Sequence, residues 1–355
     1  MFPNPSKSMS TSGNSKGGAR SRRWKGLLKN LALSSAVFLL CLAMVEVVLR
    51  FNGYGNLEIY QPDPKLYWRL KANQDCFTKV DHKPVHVNSL GTRGREFFPQ
   101  KPAYTIRILS LGDSKTFGWG MSDEETYSAI LEKTLQRTNS SKKNEVINGG
   151  VNAWSYPQMA SFFRIYAREW KPDVVIIGDA NPWTQFPEEP DAEFLKKFLW
   201  RVRLKNFLRR FALFHYVVEV KLQKVYEHQR RRFVPVDPKQ DTLFKEQQRK
   251  DPDALFRESL DRICATALSN GIQPVLIFIP LQDAMTATNT AMDGALRAKR
   301  QVSAKYQVPF HDFTEDLRPK AKDLYLEGDN VHLTGAGNEI VGRRLAEIVS
   351  SLLKQ

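Results

Sequence analysis

Ile106-Arg107-Ile108-Leu109-Ser110-Leu111-Gly112-Asp113-Ser114 is a short apolar run that stops at a glycine, an acid and a serine, and its reading decides the fold. Aliphatic and β-branched residues closed off by turn formers read as a buried strand, here 106–111. Four later runs repeat the pattern, at 145–148, 173–177, 274–279 and 309–313. Helical patterns lie between them. Ser122 with Glu125 forms a capping box for a helix to about Gln136, and 334–353 carries apolar residues at helical spacing. This alternation from about Thr105 to the C-terminus implies an α/β fold, a parallel sheet with helices on both faces. In open sheets of this kind ligands bind outside the carboxyl ends of the strands, so the residues just after each strand are the first to inspect.

Four such places carry suitable chemistry. Leu111-Gly112-Asp113-Ser114 sets a serine on a tight turn, with its hydroxyl exposed and its own N–H available to a bound oxyanion. Asn148-Gly149-Gly150-Val151-Asn152-Ala153-Trp154-Ser155 is a loop of small residues that lets backbone N–H groups approach a substrate. Gly178-Asp179-Ala180-Asn181 offers an amide side chain as a further donor, and Asp329-Asn330-Val331-His332 places a carboxylate where it can orient an imidazole. The ordinary fate of a serine after a strand is a helix N-cap, and the other three blocks in this order argue against it for Ser114. Asp113, adjacent to that serine, is expected to fix the turn and stays outside the triad. Among the six histidines only His332 has Asp three residues before it; His311, beside Asp312, falls in or at the end of a strand. The chain has no H-x-H, H-E-x-x-H or C-x-x-C set, so neither a metal nor another cofactor is expected.

The run Leu111-Gly112-Asp113-Ser114-Lys115-Thr116-Phe117-Gly118-Trp119-Gly120 resembles the first block of the SGNH, or GDSL-type, hydrolases. Asn88-Ser89-Leu90-Gly91-Thr92-Arg93-Gly94 resembles a lead-in of membrane-anchored members, so the likeness covers roughly Val87 to the C-terminus. The resemblance implies a flavodoxin-like three-layer α/β/α domain with a five-stranded parallel sheet that hydrolyses or transfers esters through an acyl-enzyme. It implies Ser114 as nucleophile, His332 as base, Asp329 as its orienting carboxylate and Asn181 as an oxyanion donor. The oxyanion glycine of the second block falls on Ala153, with Gly150 as an alternative register. Pro182 follows Asn181 where the family often has Asp.

The remaining sequence supplies the setting. At 355 residues, 42% hydrophobic, the chain can fill a large core, and its net charge of +15 is unevenly spread. Residues 1–29 hold seven Lys and Arg and no acid among many Ser and Gly, and read as a disordered cytoplasmic tail. Within the next segment, 30–50, the 19 residues 31–49 have Glu46 as their only charged member. As a helix they reach roughly 28 Å, the thickness of a hydrocarbon core. The run is long for a signal-peptide h-region, has no small-x-small cleavage site, and lacks the small residue a lipoprotein signal needs before Cys41. An uncleaved signal anchor is expected, basic side in, with the rest of the chain extracytoplasmic. Segment 51–104 reads as an extended juxtamembrane connection. Cys76 and Cys264 are the only cysteines beyond the span, enough for one disulfide at most. An insertion at about 186–250 interrupts the hydrolase domain, 105–355. Its stretch 196–232 carries 12 Lys and Arg against Glu219 and Glu227, with apolar residues at helical spacing. Helices covering the sheet or active site are the plain reading. Contact with anionic lipid headgroups or an acidic polysaccharide is the sharper one, whereas an external domain meets no nucleic acid. The expected activity is hydrolysis of O-acyl esters, acetyl among them, on a cell-envelope carbohydrate or lipid. Two alternatives stand beside it: an O-acyltransferase with the same triad, and a non-catalytic envelope binding module.

Overall fold

A computed structural model describes residues 16–78, 82–138, 142–180, 192–222, 253–285 and 293–354. The chain divides into two units, Met1–Gly53 and Tyr54–Gln355. The first unit is built on helix α1, Lys16–Phe51, which starts upstream of the span expected from 30. Its segment Trp24–Phe51 is long and apolar enough to cross a membrane. Glu46, the acid inside that run, pairs with Arg50 one helical turn later at 2.8 Å, which supplies the charge partner a carboxylate needs there.

In the second unit, 54–104 is not an extended connection. Strands β1 (Tyr60–Asp63) and β2 (Tyr67–Leu70) form one antiparallel pair, β3 (Gln74–Phe77) and β4 (Pro84–Val87) another. Leu66, Leu70, Cys76, Val85, Val87 and Phe97 are buried in the same core as the α/β elements. The physical reason is apolar alternation in short strands, a signal too weak to see beside the longer runs that follow.

Five strands then make one parallel sheet: β5 (Thr105–Gly112), β6 (Lys143–Gly150), β7 (Val174–Ile177), β8 (Gln273–Phe278) and β9 (Phe310–Asp312). Their order is β6-β5-β7-β8-β9. This is the flavodoxin-like order, in which the connections leaving the neighbouring strands β5 and β7 run in opposite directions and open a crevice at their carboxyl ends. Alternation divides the core into two layers. Leu109, Leu111, Val175, Ile177, Leu276 and Phe278 point to one face. There they meet α4 (Tyr156–Ile165), α6 (Ala254–Ser269) and α7 (Asp293–Tyr306). Ile106, Ile108, Val174, Ile176, Val275 and Ile277 point to the other, against α3 (Tyr127–Thr138) and α8 (Gly335–Leu352). The fold is therefore a three-layer α/β/α sandwich.

Two local expectations change, and a disulfide left open by the sequence is absent. The Ser122–Glu125 capping box is present, but it caps a 3₁₀ turn over Asp123–Glu125, and extended Thr126 separates this turn from α3. Within the basic insertion, α5 (Ala192–Leu208) covers the β1–β2 hairpin, not the sheet: Phe198 packs on Tyr67 and Trp68, with centroids 5.7 and 5.5 Å away. Its outer side exposes Lys196, Arg201 and Arg203 together with Trp200, Leu204 and Phe207. Residues 181–191 and 223–250 of the insertion region lie outside the described residues. Cys76 and Cys264 are both buried and free, so they form no disulfide with each other.

Candidate active site

Strand β5 delivers the serine. Gly112 ends the strand where an added Cβ would meet Thr116 Oγ1 at 1.8 Å, so glycine is what lets Thr116 pack this closely on the strand end. Asp113 is the N-cap of the single-turn helix α2 (Ser114–Phe117), its carboxylate accepting the Lys115 N–H at 2.9 Å. Ser114 is thus the first helical residue and not the cap, which leaves its hydroxyl free for another partner. Gly150, on β6, allows α2 to lie directly on the sheet, because a Cβ there would come within 2.2 Å of Phe117 N. Arg93 closes the far end. Its guanidinium donates to the carbonyls of Phe117 and Gly118, each at 2.8 Å, and of Met121, while Nε meets Asp123 at 2.7 Å. The Gly118 carbonyl also accepts the Met121 N–H at 3.1 Å and the Phe117 carbonyl the Asn148 side-chain amide at 3.4 Å, so the guanidinium completes the bonding of a helix end and its following turn.

The partner side chains come from the turn before α8. Asp329 accepts the N–H groups of Val331 and His332 on Oδ1 at 2.8 and 3.1 Å, and its Oδ2 lies 2.6 Å from His332 Nδ1. His332 Nε2 lies 2.7 Å from Ser114 Oγ. Burial would raise the Asp329 pKa, but the imidazole and the two backbone donors outweigh it and hold the carboxyl below the usual carboxylate range. An ionised Asp329 favours the tautomer with hydrogen on Nδ1, leaving Nε2 to accept from the serine hydroxyl. Trp119 stacks on the His332 ring, centroids 5.7 Å apart and planes 30° apart, and limits its rotation.

Beneath the serine turn lies a buried ionic cluster that sequence reading missed. Asp179, after β7, meets Lys115 Nζ at 3.1 Å and Lys299 Nζ at 2.5 Å, and accepts the Ile279 N–H at 2.9 Å. Its carbonyl accepts the Asp113 N–H at 2.9 Å. Burial opposes ionisation of Asp179, yet Lys115 and Lys299 hold its pKa below the usual range. Burial pushes the Asp113 carboxyl up to about 6, with Lys115 opposing and Asp179 adding to the rise. The cluster ties the carboxyl ends of β5, β7 and β8 to α7. A lysine in a helix, such as Lys299, carries no sequence signal of burial.

The oxyanion candidates separate. Ser114 N–H, at the first position of α2, and Ala153 N–H have no protein acceptor among the described residues. Gly150 N–H already donates to Asn148 Oδ1 at 3.0 Å, so the alternative register is corrected: this glycine serves close packing. Ala153 stands at φ 64°, a left-handed conformation that strains a residue with a Cβ. Asn181 lies outside the described residues. Among the described residues no group of three or more His, Cys, Asp or Glu is placed to hold a metal.

No family model matches the chain, and no curated protein matches it. Solved structures similar to it include a lipase/acylhydrolase from Enterococcus faecalis, 16% identical with a TM-score of 0.43, covering 69% of this chain and 96% of the other. An acetyl xylan esterase from Geobacillus stearothermophilus is 16% identical at a TM-score of 0.43, with 70% and 96% covered. An aryl esterase from M. smegmatis is 16% identical at 0.38, with 70% and 99% covered. All three TM-scores lie below 0.5, which leaves the chemistry to be argued from the site itself.

Proposed function

We propose that the protein is an ester hydrolase that removes O-acyl groups through an acyl-enzyme. The observation that carries this reading is the unbroken relay from Asp329 through His332 to Ser114, with contacts of 2.6 and 2.7 Å, at the carboxyl end of β5 where the sheet order reverses. Ser114 Oγ attacks the ester carbonyl as His332 Nε2 takes its proton, and Asp329 stabilises the imidazolium. The oxyanion is bound by the N–H groups of Ser114 and Ala153, with the Asn181 amide as the third donor. His332 returns the proton to the departing alcohol oxygen. Water, deprotonated by His332, then attacks the acyl-enzyme; the Ser114 Oγ–acyl bond breaks, the acid leaves, and His332 returns the proton to Ser114 Oγ.

The substrate class we infer is O-acylated cell-envelope carbohydrate or lipid. It follows from the span Trp24–Phe51, whose basic N-terminal flank favours a cytoplasmic N-terminus and an external hydrolase domain. Hydrolysis of p-nitrophenyl acetate by the full chain in detergent micelles, beside Ser114→Ala, tests the reading. Activity is expected to fall by at least about 10³-fold in the variant. Unchanged activity, with no labelling of Ser114 by a fluorophosphonate, would overturn the nucleophile assignment. Acyl transfer to an added sugar in preference to water would identify an acyltransferase.

A further inference from the structure

Ala153 holds a strained left-handed conformation, and such strain persists only where the surroundings over-determine it. Those surroundings come from the β1–β2 hairpin, far away in sequence. The Trp68 indole N–H donates to the Asn152 carbonyl at 3.2 Å. The Asn152 side-chain amide donates to the Tyr60 hydroxyl at 2.6 Å. The Trp154 indole N–H donates back to the Trp68 carbonyl at 2.9 Å, and the Gln158 amide donates to the Leu66 carbonyl at 2.8 Å. The loop and the first turn of α4 behind it are latched to the hairpin at these points.

One of these bonds differs from the others in kind. The Asn152 carbonyl and the Ala153 N–H belong to the same planar trans peptide, so they point in opposite directions and can turn only together. A donor fixed on that carbonyl therefore sets the direction of that N–H. We propose that Trp68 is a positioning residue for the oxyanion-binding amide. Its indole N–H holds the 152–153 peptide against a flip that would relieve the strain at Ala153 and swing the N–H out of the site. Tyr60 assists by anchoring the Asn152 side chain. The hairpin ahead of the α/β sheet is then part of the catalytic apparatus, a consequence that rests on the ester-hydrolase reading.

The test uses the full chain in detergent micelles with p-nitrophenyl acetate, and selective ¹⁵N-alanine labelling to follow the Ala153 amide. Trp68→Phe keeps a ring against Phe198 and removes the N–H. Loss of an oxyanion donor outright lowers kcat by about 10²–10³-fold, so loss of its orientation is expected to lower kcat about tenfold or more. KM should hold within about twofold, Tm should stay close to wild type, and the Ala153 amide should gain microsecond-to-millisecond exchange. Should Trp68→Phe not fold, Tyr60→Phe removes only a hydroxyl and should give a smaller loss with the same split. Wild-type kcat in the folded variant, with Ser114→Ala inactive, overturns the positioning role and leaves the hydrolase reading standing. Activity that survives Ser114→Ala overturns that reading. The Ala153 amide then decides the positioning role alone, and unchanged relaxation in Trp68→Phe overturns it.

Discussion

Asp113 and Ser114 divide between them two roles that one serine after a strand would have to choose between. The acid caps α2, so the serine hydroxyl is left to His332. Burial gives this cap a pH signature. Its carboxyl moves from an ordinary 3.8 up to about 6, so the folded chain keeps a proton that the unfolded chain loses at lower pH. The stabilisation is complete below about pH 4 and is lost as pH rises through about 6. Asp113→Asn keeps an acceptor oxygen and removes the titration. The Tm difference between wild type and this variant should therefore move against the wild type from pH 4 to 7, as followed by thermal unfolding. A pH-independent difference would show that Asp113 does not titrate there. Ser114, His332 and Asp329 were legible because a turn signal and a D-x-x-H spacing are properties of neighbouring residues. Lys299 and Trp68 were not, since nothing local distinguishes a buried lysine or a donating indole from ordinary ones.

At the scale of elements, the single turn α2 is too short to be stable by its own hydrogen bonds. It is held from outside, by Arg93 at its carboxyl end and by the glycine-lined sheet below. Arg93 is almost wholly buried, and replacing it with methionine removes the guanidinium from three carbonyls and from Asp123, leaving the Met121 carbonyl with no other donor among the described residues. Arg93→Met is expected to cost about 1–3 kcal/mol, read from the midpoint of urea unfolding. A loss below about 1 kcal/mol would mean that water or another donor replaces the guanidinium. The lead-in 88–94 was noticed in the sequence by likeness. Its physical task, to clamp the helix that bears the serine, appears only once the chain is folded. The same holds for the capping box at Ser122 and Glu125: the motif identified a start, but extended Thr126 makes it the start of a 3₁₀ turn.

For the whole molecule, the boundary between units falls after Gly53, well ahead of the first strand of the parallel sheet. The hairpins of 54–104 bury apolar side chains in the main core, so their removal opens it. A chain beginning at Tyr54 is expected to fold without the apolar helix, and one beginning at Thr105 to be insoluble or molten. Near-UV circular dichroism of the two truncations checks this, and a native spectrum from the shorter would contradict it. Sequence alone determined the five strands, their alternation with helices, the span and the candidate Ser114, His332 and Asp329. Each of these follows from local periodicity, turn chemistry or apolar length. Only the tertiary structure decided that Gly150 packs against α2, that the Ala153 N–H has no protein acceptor among the described residues, and that the Trp68 indole, 84 residues before Asn152, bonds the carbonyl of that same peptide. The physical reason is that a hydrogen bond between distant segments depends on how two independently formed elements dock, and no pattern within either element records the contact.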